Sequence, residues 1–207
     1  MTSGKPEARH PRERLRRWGW LAGVVCGLCI ALPGQALAWG LPELMQALSQ
    51  TRSAKATFVE KKYIGFIDQP VESSGELSFT APDRLEKRTL KPQPELVRLT
   101  GTRLIVEQPG RRQMALELGG RPDAMAFIES IRGTLAGDRE ALERYYVLEL
   151  QGRPEAWKLT LTPRFDNMSK VVTRIRMEGS QSVVTLVAFD QADGDRSEMR
   201  ITRLPSP

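Results

Sequence analysis

The residues from Trp39 onward predict a mainly β protein with some α: about eleven strands in one curved antiparallel sheet. That sheet forms a half-barrel or barrel around an apolar hollow, with a lid of about three short helices. Three observations carry this prediction. Apolar and polar side chains alternate with a period of two, as in Gly75-Glu76-Leu77-Ser78-Phe79-Thr80, Trp157-Lys158-Leu159-Thr160-Leu161-Thr162 and Met199-Arg200-Ile201-Thr202, so that each strand has one oily face and one wet face. The alternating stretches are separated by turn signals too short for crossover helices, which favours an antiparallel meander. No second set of strands with a different pattern exists to form a partner sheet, and a single sheet this wide must curl around its own apolar side.

The elements follow in order. Leu41 to Ser53 reads as a helix, with Pro42 in its first turn and Leu41, Leu44, Met45 and Leu48 on one stripe. Strands are then expected at 57–67, 71–80, 84–90, 95–100, 103–107 and 112–118, divided by Asp68-Gln69-Pro70, Ala81-Pro82-Asp83, Lys91-Pro92-Gln93-Pro94, Thr100-Gly101-Thr102 and Gln108-Pro109-Gly110. Asp123 to Leu135 places Met125, Ile128, Ile131 and Leu135 on one helical face. Gly137-Asp138 supplies a stop and an N-cap for a further helix from Arg139 to Tyr146. Strand character resumes at 147–150, 157–162, 171–178, 182–190 and 197–204, with turns around Asn167, Glu178-Gly179-Ser180 and Asp193-Gly194.

Residues 1–38 read as a cleaved export signal, leaving one domain over 39–207. The leader is basic (Lys5, Arg9, Arg12, Arg14, Arg16, Arg17). An uncharged run of 15 residues from Trp18 to Leu32 follows, then the Pro33-Gly34 break and Ala36-Leu37-Ala38 at a signal-peptidase site. The run is short of the about 20 residues that span a bilayer. Cleavage after Ala38 removes His10, Cys26 and Cys29, the only imidazole and thiols, so most nucleophilic, redox and zinc chemistry is excluded. It also leaves 25 basic against 23 acidic residues, which removes the electrostatic ground for a nucleic-acid partner. The expected location is the periplasm, by the general secretory route rather than the twin-arginine route.

Against this background the chain resembles the LolA-type outer-membrane lipoprotein carriers over nearly all of its mature length. Ala56-Thr57-Phe58-Val59-Glu60 looks like the family's first strand with its Phe-x-Gln. Gly75-Glu76-Leu77-Ser78-Phe79 followed by Pro82 is similar to its Gly-x-Leu strand, Gly101 to a hairpin glycine, and Trp157 to Pro163 to the late Leu-x-Pro strand. The resemblance implies an unclosed barrel of eleven strands, a helical lid, and carriage of acyl chains across the periplasm. It further implies an inner-membrane exporter as donor and an outer-membrane acceptor. Two departures stand out: Ala81 replaces an arginine that the family associates with lid movement, and Glu60 replaces its glutamine. Ser74 to Leu77, Ile131 to Asp138 and Asp193 to Ser197 look like the related branch that accompanies lipid or aryl-polyene export. That likeness turns the expected cargo toward another acylated or polyene lipid.

A carrier needs apolar capacity rather than reactive groups. The expected lining is Phe58, Leu77, Phe79, Met114, Leu116, Trp157, Leu159, Leu161, Ile175 and Met177 from the sheet, with Leu44, Leu48, Ile128 and Ile131 from the lid. Arg132 and Asp138 are candidates for a latch between lid and sheet, Asp138 equally for a helix cap. Asp190, Asp193 and Asp195 do not follow the spacing of a calcium loop, so a hairpin turn is expected there and no metal or cofactor. Carboxylate pairs such as Glu140 with Glu143, or Glu60 with Glu76, read as solvated charge, so no enzymatic activity is expected. A monomeric ferry for a lipid or lipidated cargo is the expected role. The alternatives are a periplasmic lipid sensor that regulates an envelope assembly or export system, and a lipid-blind subunit of an export machine.

Overall fold

The computed structural model describes Met1 and residues 39–205; the expected export signal lies outside the described residues. The elements run α1 (Leu41–Ser49), β1 (Ser53–Tyr63), β2 (Val71–Thr80), β3 (Arg84–Lys91), β4 (Glu95–Thr100), β5 (Arg103–Glu107), β6 (Met114–Glu117), α2 (Pro122–Ala136), α3 (Arg139–Glu143), β7 (Tyr146–Arg153), β8 (Ala156–Pro163), α4 (Asp166–Ser169), β9 (Val172–Ser180), β10 (Val183–Gln191) and β11 (Arg196–Arg203). All eleven strands join one sheet in the order β6-β5-β4-β3-β2-β1-β11-β10-β9-β8-β7. Strands consecutive in the chain pair with each other except β6 with β7, and β1 also pairs with β11 and thereby joins the two halves, Phe58 facing Ile201. The edge strands β6 and β7 do not pair with each other, so the barrel stays open, as expected.

Alternation decides which face is inside. Ala54, Ala56, Phe58 and Glu60 of β1 share a face with Leu77 and Phe79 of β2, Leu85 and Lys87 of β3, and Met199, Ile201 and Arg203 of β11. The helices lie over this concave side. α1 buries Leu44, Met45 and Leu48. α2 ends at Gly137 in the left-handed conformation (φ 66°), and a Cβ there would stand 2.1 Å from the Met45 carbonyl oxygen, so the missing side chain lets α1 and α2 touch. Asp138 caps α3 by accepting a hydrogen bond from the Ala141 N–H at 2.9 Å. The buried Tyr146 hydroxyl donates to the Ala126 carbonyl at 3.0 Å and ties α2 to β7; burial pushes this phenol up to about 12.

Several boundaries depart from expectation; α3 stops at Glu143 rather than Tyr146, and β7 runs on to Arg153 rather than Leu150. The first helix stops at Ser49, because Ser53 already pairs with Thr80 and the strand captures the four residues before Thr57. The first strand stops at Tyr63: Ile67 N–H closes a turn on Ile64, and Gly65 N–H donates to Asp195 Oδ1 at 3.0 Å. The sixth strand spans Met114–Glu117 only, and a short fourth helix, Asp166–Ser169, takes the place of the turn expected around Asn167.

Candidate functional site

The concave face does not pack as one continuous core. One buried cluster gathers Leu44, Leu48, Leu142, Trp157, Leu159, Leu161 and Ile175 beneath α1, α3 and α4. A second joins Leu99, Leu118 and Ile128, with Leu85 and Leu104 against it. Between the two lies a cavity of about 340 Å³. Its walls are Ala54, Ala56, Leu77 and Phe79 from β1 and β2, Leu85, Val97, Leu99 and Leu104 from β3 to β5, and Met177, Val184, Val187, Phe189, Met199 and Ile201 from β9 to β11. Leu48 of α1 and Phe127, Ile128, Ile131 and Leu135 of α2 roof it. Phe127 is 39% exposed and its ring meets that of Phe189 at 4.8 Å, so one aromatic pair joins roof to wall.

A polar knot closes one part of the wall. Glu60 Oε2 and Lys87 Nζ lie 2.5 Å apart, and Glu60 also accepts hydrogen bonds from Ser197 at 2.7 Å and Ser73 at 3.4 Å. Burial works to raise the Glu60 carboxyl, but the Lys87 hydrogen bond and charge, with the two serine hydroxyls, outweigh it and hold the group below its ordinary value. Lys87 lies 5.0 Å from the centre of the Phe58 ring, a cation–π contact that fixes it further. The charge is therefore neutralised within the knot rather than offered to a ligand.

The roof is held by α2. Arg132 Nη1 donates to the Gly101 carbonyl of the β4–β5 turn at 3.2 Å, while Glu129 on the same helix pairs with the guanidinium. Arg132 thus connects lid and sheet, whereas Asp138 is occupied as the α3 cap and does not take part.

Of the residues expected to line the hollow, the structure brings together Leu48, Leu77, Phe79, Ile128, Ile131 and Met177. Leu44, Phe58, Trp157, Leu159, Leu161 and Ile175 lie on the expected face but are buried in packed core and do not border the cavity. Met114 and Leu116 share the concave face through their register with Val106 and Leu104, but they lie on edge strand β6, 50% and 36% exposed, and do not border the cavity. Ala54, Ala56, Val97, Val187, Phe127, Met199, Ile201 and the Glu60–Lys87 knot line the cavity without having been expected to. For Met199 and Ile201 the signal was legible, because they occupy the apolar phase of their strand. Each aspartate of the β10–β11 region has a structural task. Asp190 pairs with Arg174 at 2.7 Å, Asp193 accepts from the Asp195 N–H at 3.0 Å, and Asp195 accepts from Gly65. Among the described residues no group of three or more histidine, cysteine or acidic side chains converges, and no helix is long and apolar enough to cross a membrane.

The open half-barrel thus has a roofed hollow whose walls are almost wholly hydrocarbon. In sequence, residues 34–200 match the family model described as outer membrane lipoprotein carrier protein LolA-like, and the chain belongs to that family. An outer-membrane lipoprotein carrier protein of Dechloromonas aromatica is 26% identical over 184 residues, covering 87% of this chain and 85% of the relative. Among solved structures, the chain is similar to a LolA superfamily protein of Nitrosomonas europaea (11% identity, 82% and 96% of the two chains, TM-score 0.44). It is also similar to a chain of the Pseudomonas aeruginosa MucA/MucB complex (17% identity, 81% and 56% of the two chains, TM-score 0.44).

Proposed function

We propose that this chain is an exported periplasmic carrier. It shields the acyl or other hydrophobic moiety of a lipid or lipidated molecule in transit from the inner to the outer membrane. The supporting observation is the cavity of about 340 Å³, walled almost wholly by hydrocarbon and roofed by α2, in a member of the LolA-like carrier family. Benzene occupies an apolar cavity of about 150 Å³ in a well-studied protein, and on that scale this one holds roughly a dozen carbons. Withdrawing twelve methylenes from water is worth about 10 kcal/mol at about 0.8 kcal/mol each. Held open and empty, the same space would cost on the order of 8 kcal/mol. α2, held to the β4–β5 turn by the Arg132–Gly101 contact, is the roof that moves aside for cargo to enter and leave. The walls sequester their guest; no bond is made or broken.

The route begins with cleavage after Ala38. An inner-membrane exporter loads the carrier and an outer-membrane acceptor unloads it. Native mass spectrometry with lipid extraction, on protein purified from its own periplasm, tests the reading. One lipid per chain on a protein beginning at Trp39 is expected. Protein that is lipid-free in every preparation, and that takes up no alkyl probe in vitro, would contradict it.

A further inference from the structure

Resting on the hollow as a hydrocarbon site, the charges on its wall define what the hydrocarbon is attached to. β11 turns Ser197, Met199, Ile201 and Arg203 to the concave side in succession, and Arg203 stands opposite Ala56 of β1 in the register. Ala54 and Ala56 are too short to cover it, and Arg203 both borders the cavity and is exposed to solvent. Thr51, just before β1, and Ser182, in the β9–β10 turn, border the cavity as well. These residues mark a mouth, at the opposite end of β11 from Ser197 and the Glu60–Lys87 knot.

The other charged residues of the wall are compensated. Glu60 and Lys87 neutralise each other, and Glu86 lies 3.3 Å from Arg98 and 3.5 Å from Arg88. Among the described residues no carboxylate lies within 4.0 Å of the Arg203 guanidinium. Among the described residues the lining thus carries one uncompensated charge; it is positive and it sits at the entrance.

We infer that the hollow selects a single-chain amphiphile with an anionic end, a carboxylate or a phosphate, whose chain lies inside while the anion meets Arg203 at the mouth. The volume agrees, since room for roughly a dozen carbons suits one chain rather than two or three. A guanidinium is the side chain whose planar fork matches either anion with two hydrogen bonds.

The test uses four ten-carbon probes, decanoate, decyl phosphate, decanol and decyltrimethylammonium, titrated calorimetrically into protein spanning 39–207. Both anions are expected to bind about three- to five-fold tighter than decanol in low salt, as suits a solvent-exposed charge pair. The cation is expected to bind weaker than decanol. The preference should shrink when sodium chloride rises from 20 to 500 mM, a readout that needs no variant. In Arg203→Gln the anion preference should vanish, whereas Arg153→Gln, which removes the same charge away from the cavity, should retain it. Equal binding of anion and alcohol, a preference indifferent to salt, or one that survives in Arg203→Gln would overturn the anionic-end assignment while leaving the hydrocarbon site standing. Failure of all four probes, decanol included, would overturn the hydrocarbon site itself and the assignment with it.

Discussion

Ala56→Leu offers a direct measure of what the hollow does. Ala56 lies on the concave face of β1, buried, with its methyl on the cavity wall. The substitution adds three carbons inside a space that holds roughly a dozen, so a bound alkyl chain must surrender about three methylenes. At about 0.8 kcal/mol each this removes about 2.4 kcal/mol, or roughly 60-fold in affinity, from a chain long enough to fill the cavity. A six- or eight-carbon chain, which leaves room at the end, should lose almost nothing. The assay is displacement of a fluorescent apolar probe by a series of alkyl ligands from six to eighteen carbons. In the unaltered protein affinity should rise about four-fold per methylene and level off near twelve; in Ala56→Leu it should level off near nine. Thermal stability should hold, because the added carbons enter empty space instead of the about 1–3 kcal/mol penalty of an overfilled core. Identical plateaus, or a uniform loss at every chain length, would refute the reasoning.

Other consequences are equally concrete. Gly137→Ala should destabilise by more than about 2 kcal/mol in a thermal melt, since a side chain at φ 66° would collide with the Met45 carbonyl. Leu161→Arg should abolish cooperative unfolding while Thr160→Arg is tolerated, because Leu161 is fully buried and its neighbour faces the other side of β8; similar melts for the two would show the faces to be misassigned. Arg132→Ala should cost about 1 kcal/mol and speed amide hydrogen exchange in α2 selectively, as the contact with the Gly101 carbonyl is lost. Glu60 has its folded-state pKa held below its unfolded one, so its contribution is complete above the unfolded value and disappears as pH falls through the folded value. Glu60→Gln should therefore flatten the acid limb of the stability curve below about pH 4.5, and an unchanged limb would contradict the knot.

Much of the fold was legible because alternation is read residue by residue. All eleven strands, the order of elements and the oily face of Trp157, Leu159 and Leu161 follow from local spacing. The boundaries that moved depend on partners distant in sequence. Ser53 becomes strand because Thr80 is there to pair with it, and Ile64 to Ile67 leaves the sheet because Asp195 captures the Gly65 amide. The site was only half legible for the same reason. Period two identifies the concave face but not where helices press upon it. Leu159, Leu161 and Ile175 look the same in sequence as Met177 and share its buried cluster, yet of the four Met177 alone borders the cavity. Met114 and Leu116 alternate like lining residues but lie on the edge strand, exposed and away from the cavity. Ala54 and Ala56 carry no such signal, because small side chains do not stand out in a pattern of large ones, though they help create the hollow by failing to fill it. Arg203 sits in the apolar phase of β11, two residues after Ile201, and that misplacement of a charge was the available sign of a mouth.

The central claim is that hydrocarbon lies between α2 and the sheet. Methyl-selective NMR of the protein with perdeuterated surroundings and protonated decanoate locates the chain directly. Nuclear Overhauser effects from the alkyl protons to the methyls of Leu77, Val187 and Ile131 are the predicted result. Effects confined to Met114, Leu116 or the convex face, with those three methyls silent at saturating ligand, would contradict the account.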